Sequence, residues 1–147
     1  MKLGFITAIC EGMTFEEVID FAAENGLECL EVACWPQEKA QRRYAGVSHI
    51  DVAKLDEKKA EYIKNLCKEK GVAISSLAYY PNTMDPDIEK RRGYIEHLYK
   101  LIDASAMLDV NMITTFVGRD PAKSVSENLE IVKKLWPPIV RYAEEKG

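Results

Sequence analysis

The stretch NGLECLEVACW, residues 25–35, joins a helix stop to an apolar strand. Upstream, Phe15, Val18, Ile19 and Ala22 recur at helical spacing, and Gly26 supplies a left-handed stop. Thr14 and Glu17 are spaced as a capping box, in which each side chain satisfies an orphan N–H of the first turn. Downstream, CLEVAC (29–34) predicts a buried strand. The same junction recurs at CKEKGVAISSLAYYP, residues 67–81. The sequence closes on YAEEKG (142–147), the same helix ending with no apolar run behind it, where the pattern predicts a fifth strand.

Working outward, the pattern is strand then helix, four times. KLGFITAI (2–9) reads as the first strand, AISSLAYY (73–80) as the third and NMITTFV (111–117) as the fourth. Asp56 caps a second helix that Gly71 closes. A third opens at Ile88 and aligns Tyr94, Ile95, Leu98, Leu101 and Ile102. Ser124 and Glu127 form another capping box, followed by a stripe of Leu129, Val132, Trp136, Ile139, Val140 and Ala143. Pro137 and Pro138 lack N–H groups and predict a kink or break near Leu135. Residues 35–55 show no period, and irregular runs of that length often carry function.

Four βα units with apolar strands imply a parallel sheet. Two architectures satisfy that: a doubly wound fold, with helices on both faces and a strand order other than 1-2-3-4, or a barrel with strands in sequence. A dinucleotide fold needs a glycine-rich loop after strand one, and CEGMT has a single glycine. The 147 residues fit one domain, 1–147, and the 30% charged and 47% hydrophobic composition is that of a globular protein. A net charge of −4 argues against nucleic acid as a partner. Gln41-Arg42-Arg43 and Lys90-Arg91-Arg92 read as solvated surface. No apolar run is long enough to span a membrane, and MKLGFITAIC lacks a signal-peptide cleavage site. The four cysteines show no CxxC pairing, so reduced thiols and a cytoplasmic location are expected.

LGFITAI followed by TFEEVIDFAAENGLECLEVACW resembles the sugar phosphate isomerase/epimerase family of xylose isomerase-like TIM barrels. The residues that carry the likeness are Gly26, Glu31 and Trp35, with RRYAGVSHIDV, ISSLAYYPNTMDPD and TTFVGRDP fitting the same family. The resemblance implies the N-terminal (βα)4 half of an eight-unit barrel, completed by dimerisation or by a separate C-terminal half. It also implies a divalent metal (Mn, Mg, Zn or Co) on strands from the fifth onward, where two glutamates act as acid and base. None of those positions lies in this sequence, so no metal ligand and no catalytic residue is expected here. The endonuclease-like branch adds histidines at the ends of strands three and four. Here those ends read Tyr79-Tyr80-Pro81 and Thr115-Phe116-Val117.

In such a barrel the site lies at the C-terminal ends of the strands. Glu31, Trp35, His49, Tyr80, Asn82, Phe116 and Arg119 are the candidates there for binding a sugar or sugar phosphate. Each has a plainer alternative. Glu31 holds a sugar hydroxyl or a structural ion pair. Trp35 stacks on a sugar or anchors a loop. His49 suits proton transfer by its pKa but has no carboxylate or cysteine at ligand spacing. Tyr80 and Asn82 can bond a polyol, although Tyr80 equally suits core lining. Arg119 meets an anion or pairs with Asp120 or a helix acid. Cys10 and Cys34 read as small apolar packing, and His97, in RRGYIEHLYK, as surface. Three functions follow: a substrate-lining half inactive alone, a structural half that self-assembles into a closed barrel, and a doubly wound binding module.

Overall fold

The computed structural model describes residues 1–36 and 44–147. The basic cluster at Gln41-Arg42-Arg43, and the part of the irregular run between 37 and 43, lie outside them. Four parallel strands, β1 (Gly4–Ile6), β2 (Cys29–Ala33), β3 (Ala73–Tyr79) and β4 (Ile113–Thr115), lie in the order β1-β2-β3-β4. They alternate with α1 (Phe15–Glu24), α2 (Glu57–Lys70), α3 (Ile88–Met107) and α4 (Val125–Lys146). This order removes the doubly wound reading, which needed a different one.

Both capping boxes form, at Thr14/Glu17 and Ser124/Glu127, and Asp56 accepts the Lys59 N–H at 2.8 Å. Gly71 stops α2 at φ 68°, the left-handed conformation that favours glycine.

Register partners in a sheet share a face, so pairing sorts the strand residues. Phe5, Leu30, Val32, Ile74, Leu77, Tyr79 and Ile113 turn to the helices and form the main core with Val18, Ile19, Ile63 and Leu101. Glu31, Ala33, Ser76, Ala78 and Thr114 take the opposite face. One extra residue in β3 is needed for this. Leu30 pairs Ile74 but Glu31 pairs Ser76, and the bulge keeps Val32 against Leu77. Toward β1 that opposite face is not bare, because Ala8, Ala33 and Val47 bury together with Ile6 and Trp35.

Several expectations need correction. The first strand stops at Ile6, not at residue 9, and a 3-10 turn follows over Thr7–Ile9. There the Thr7 hydroxyl accepts the Ala33 N–H at 2.9 Å, so a side chain continues what the backbone ladder began. The fourth strand spans three residues, inside the predicted 111–117. Helix α4 runs unbroken through Pro137 and Pro138. Both prolines face solvent, where water can serve the carbonyls they leave without an N–H. The stripe on α4 is only partly used: Ile139 is buried, whereas Leu129 is 54% and Val140 47% exposed. Among the described residues nothing packs beyond β4 and α4 to cover them.

His97 is buried, not surface. It stands on the apolar side of α3 with Leu98 and Leu101. Its Nε2 lies 2.8 Å from the Cys34 carbonyl, and its ring meets Tyr79 edge-on at 4.6 Å. Among the described residues no helix is long and apolar enough to cross a membrane.

Candidate functional site

The strand ends bring Glu31, Tyr80 and Phe116 together on the face opposite the helices. The Tyr80 hydroxyl donates to the Glu31 carboxylate, and the Tyr80 and Phe116 rings lie 4.7 Å apart. Burial, then the bond to Glu31, raises the Tyr80 phenol above its ordinary value, so it acts as a donor at neutral pH. Glu31 is half-buried and takes part in no ion pair among the described residues; its partner is the phenol. One lone pair is used, and the carboxylate keeps capacity for further donors.

Asn82 and Arg119 also meet, through backbone. Asn82 accepts the Arg119 N–H at 2.8 Å and donates its amide to the Arg119 carbonyl at 2.9 Å. Asn82 therefore clamps the loop after β4. Among the described residues Arg119 forms no ion pair with Asp120, one of the alternatives open to it. Asp120 turns inward, accepts Lys123 Nζ and takes the Ala122 N–H at 3.0 Å. These bonds hold the Asp120 carboxyl below its ordinary range.

His49 and Trp35 stand apart from this group. His49 Nε2–H donates to the Cys10 carbonyl at 3.3 Å, and its Nδ1 sits 2.9 Å from the Thr7 hydroxyl. Because that hydroxyl already accepts from Ala33, it completes the chain by donating to a neutral imidazole. Thr7 is the residue the sequence reading missed; a polar side chain at the end of an apolar strand was the available signal. Trp35 packs edge-on against Tyr79 at 4.9 Å and bridges both apolar clusters, the arrangement of an anchor.

Burial lowers the His49 pKa from its ordinary value, against a smaller upward pull from the Cys10 carbonyl. The unfolded chain binds this proton near pH ~6.5, the folded chain only at lower pH. Stability from this group is full above that value and declines as pH falls through the lowered folded pKa. The unfolding free energy is expected to drop as pH falls below about 6.5, and less so in His49→Gln. Urea titrations across that range check this; equal slopes for both proteins contradict it.

Among the described residues no three His, Cys, Asp or Glu side chains gather as a metal site. His49 has both nitrogens engaged, His97 Nε2 meets Cys34, and Glu31 stands alone with Tyr80. These residues do not fit a metal. The four cysteines are free; burial raises the thiol pKa of Cys10, Cys34 and Cys67, which argues against nucleophilic use.

A parallel sheet in sequential order, helices on one face and polar groups at the strand ends of the other, is half of a (βα)8 barrel. The sequence matches the xylose isomerase-like TIM barrel family over residues 19–147, and the chain belongs to that family. It is similar in structure to a putative xylose isomerase from Rhodospirillum rubrum, at 18% identity and TM-score 0.70, covering 100% of this chain and 51% of that one. It is likewise similar to a D-psicose 3-epimerase from Clostridium cellulolyticum solved with D-tagatose, at 18% identity and TM-score 0.68, covering 100% and 50%. A third is the IolI protein, solved with a zinc atom, at 16% identity and TM-score 0.66, covering 100% and 49%. At these identities the likeness establishes the fold. The chain spans about half the length of the solved structures it matches. No curated protein matches the sequence at a significant level.

Proposed function

We propose that this chain forms the substrate-lining half of a sugar or sugar-phosphate isomerase/epimerase barrel. The observation that carries this reading is the meeting of Glu31, Tyr80 and Phe116 at the strand ends, in a sheet that superposes on half of a D-psicose 3-epimerase. The chemistry suits a polyol. The Glu31 carboxylate accepts from sugar hydroxyls, and the aromatic faces of Tyr80 and Phe116 cover sugar C–H groups. Asn82 sets the loop beside them, and Trp35 packs on Tyr79, the residue before Tyr80. On this reading the divalent metal and the acid–base pair belong to the other half. The purified chain, given Mn2+ and D-fructose, is expected to show no epimerisation. Appreciable turnover by the chain alone contradicts the division of labour.

A second reading, structural assembly without catalysis, draws on the sheet edges. Beside β4, a cavity of about 440 Å³ lies between α3 and α4, lined by Met112, Ile113, Trp136, Ile139 and Val140 among others. Thr115 Oγ1 and Trp136 Nε1 are buried beside it with no hydrogen-bond partner among the described residues. At the other edge, Leu3 is 68% and Phe21 45% exposed. Unpaired edges with apolar flanks invite strand addition. Two copies can each set β4 against the other's β1, making the same contact twice about a two-fold axis and closing eight strands. The free thiols suit a cytoplasmic setting. Both readings share the closed barrel and differ in whether chemistry follows.

A further inference from the structure

We propose that the cleft beside Tyr80 and Phe116 receives the anionic group of a sugar phosphate or sugar acid, with Arg119 as the cation that holds it. This rests on the sugar-lining reading above and names the substrate class more narrowly. The cleft, about 310 Å³, is lined by Tyr80, Asn82, Phe116, Gly118 and Arg119 with two prolines. It lies at the small end of ligand sites, the size for one end of a ligand. Arg119 is its only charged lining residue among those described.

The loop that presents Arg119 is held in place. Asn82 grips both backbone groups of Arg119, and the Thr83 hydroxyl donates to the Val117 carbonyl at 2.6 Å. Between them Gly118 has φ +77°, and a Cβ there would sit 2.0 Å from Asn82 Oδ1. All of these contacts are made through the backbone at Arg119, so its side chain is not needed to build the loop. Its guanidinium makes no ion pair among the described residues, and the adjacent acid, Asp120, is committed to Lys123. An exposed, uncommitted guanidinium on a rigid loop is suited to bidentate capture of a phosphate or carboxylate. The Glu31 carboxylate repels an anion, so it fixes the ligand's orientation: charged end at Arg119, neutral hydroxyls at Glu31 and Tyr80.

The test is a titration of the full chain, followed by NMR at the Arg119 Nε–H and the Tyr80 and Phe116 rings. The probes are D-fructose, D-fructose 6-phosphate and D-gluconate, each with wild type and Arg119→Gln. At least one anionic probe is expected to bind about tenfold tighter than D-fructose, and Arg119→Gln to remove that advantage. Because the loop contacts are backbone ones, the variant's amide spectrum elsewhere should match wild type. Preference for the phosphate or for the carboxylate assigns the group. Equal binding of all three sugars, unchanged in Arg119→Gln, overturns the anion proposal and leaves the sugar wall standing. No response of Tyr80 and Phe116 to any probe overturns both.

Discussion

Gly4→Ala is expected to destabilise the protein by about 3 kcal/mol or more, a large share of a typical domain's stability. A Cβ on Gly4 would lie 1.9 Å from the Cys29 carbonyl oxygen and 2.7 Å from the Cys29 carbonyl carbon and sulfur. Backbone cannot rotate away as a side-chain tip can, so one strand must shift. Gly4 pairs with Cys29 at the start of a three-residue strand, so little ladder remains to resist. A displaced β1 also pulls Thr7 away from Ala33 and His49. Gly12→Ala is the comparison. Its φ is +88°, but nothing lies within 4 Å of the added carbon. Only the left-handed strain applies there, about 1–2 kcal/mol. Urea unfolding of both variants measures the contrast; equal losses show that the strand contact is not the cause.

His97→Ala is expected to cost about 3 kcal/mol, through a cavity and a lost hydrogen bond. The imidazole fills space between α3 and the sheet, meeting Tyr79 at 4.6 Å, which in turn meets Trp35 at 4.9 Å. Its Nε2 also serves the Cys34 carbonyl at the point where β2 ends. Removing it loosens the anchor of Trp35 and the loop that carries His49. His97→Gln keeps a donor and most of the volume, and should lose about half as much. Denaturation midpoints test this, and a His97→Ala loss below about 1 kcal/mol shows the site to be a surface one after all.

His97 illustrates what the sequence hid. Its neighbours Arg92, Glu96 and Lys100 suggested surface, yet its spacing from Tyr94 and Leu101 placed it on the buried side of α3. Periodicity carried the signal and composition masked it. Helix starts were legible because a cap is local: Thr14, Asp56 and Ser124 act within three residues of themselves. Strand lengths were not, because β1 ends where Thr7 meets Ala33, a contact across 26 positions. The same limit applies at the site. Glu31, Tyr80 and Phe116 were readable as strand-end residues, and they do meet. Asp120 pairs with Lys123, three residues on, a local i,i+3 contact that the adjacent Arg119 masked. Asn82 was readable as a polar strand-end residue, whereas its amide contacts with the Arg119 backbone, 37 positions away, were not.

The proline pair in α4 shows a different kind of limit. Missing N–H groups predict a break when the helix is considered alone. Here the capping box before the pair and the buried Ile139 after it hold one helix across both. The half-exposed stripe on that helix lies beside the cavity next to β4, and in the proposed closed barrel both face the added half. That is why the edge matters for function. The cleft at Tyr80 and Phe116 is already present in the single chain, and in the proposed closed barrel the missing wall stands opposite it.

The most direct measurement of that closure is the mass of the purified chain in solution, by light scattering over a range of concentrations. Closure by two copies predicts a dimer, twice the chain's 16.7 kDa, populated more fully as concentration rises. Val140→Asp, placed in the apolar cavity beside β4, should shift it back to monomer. A mass of 16.7 kDa at every concentration contradicts self-closure.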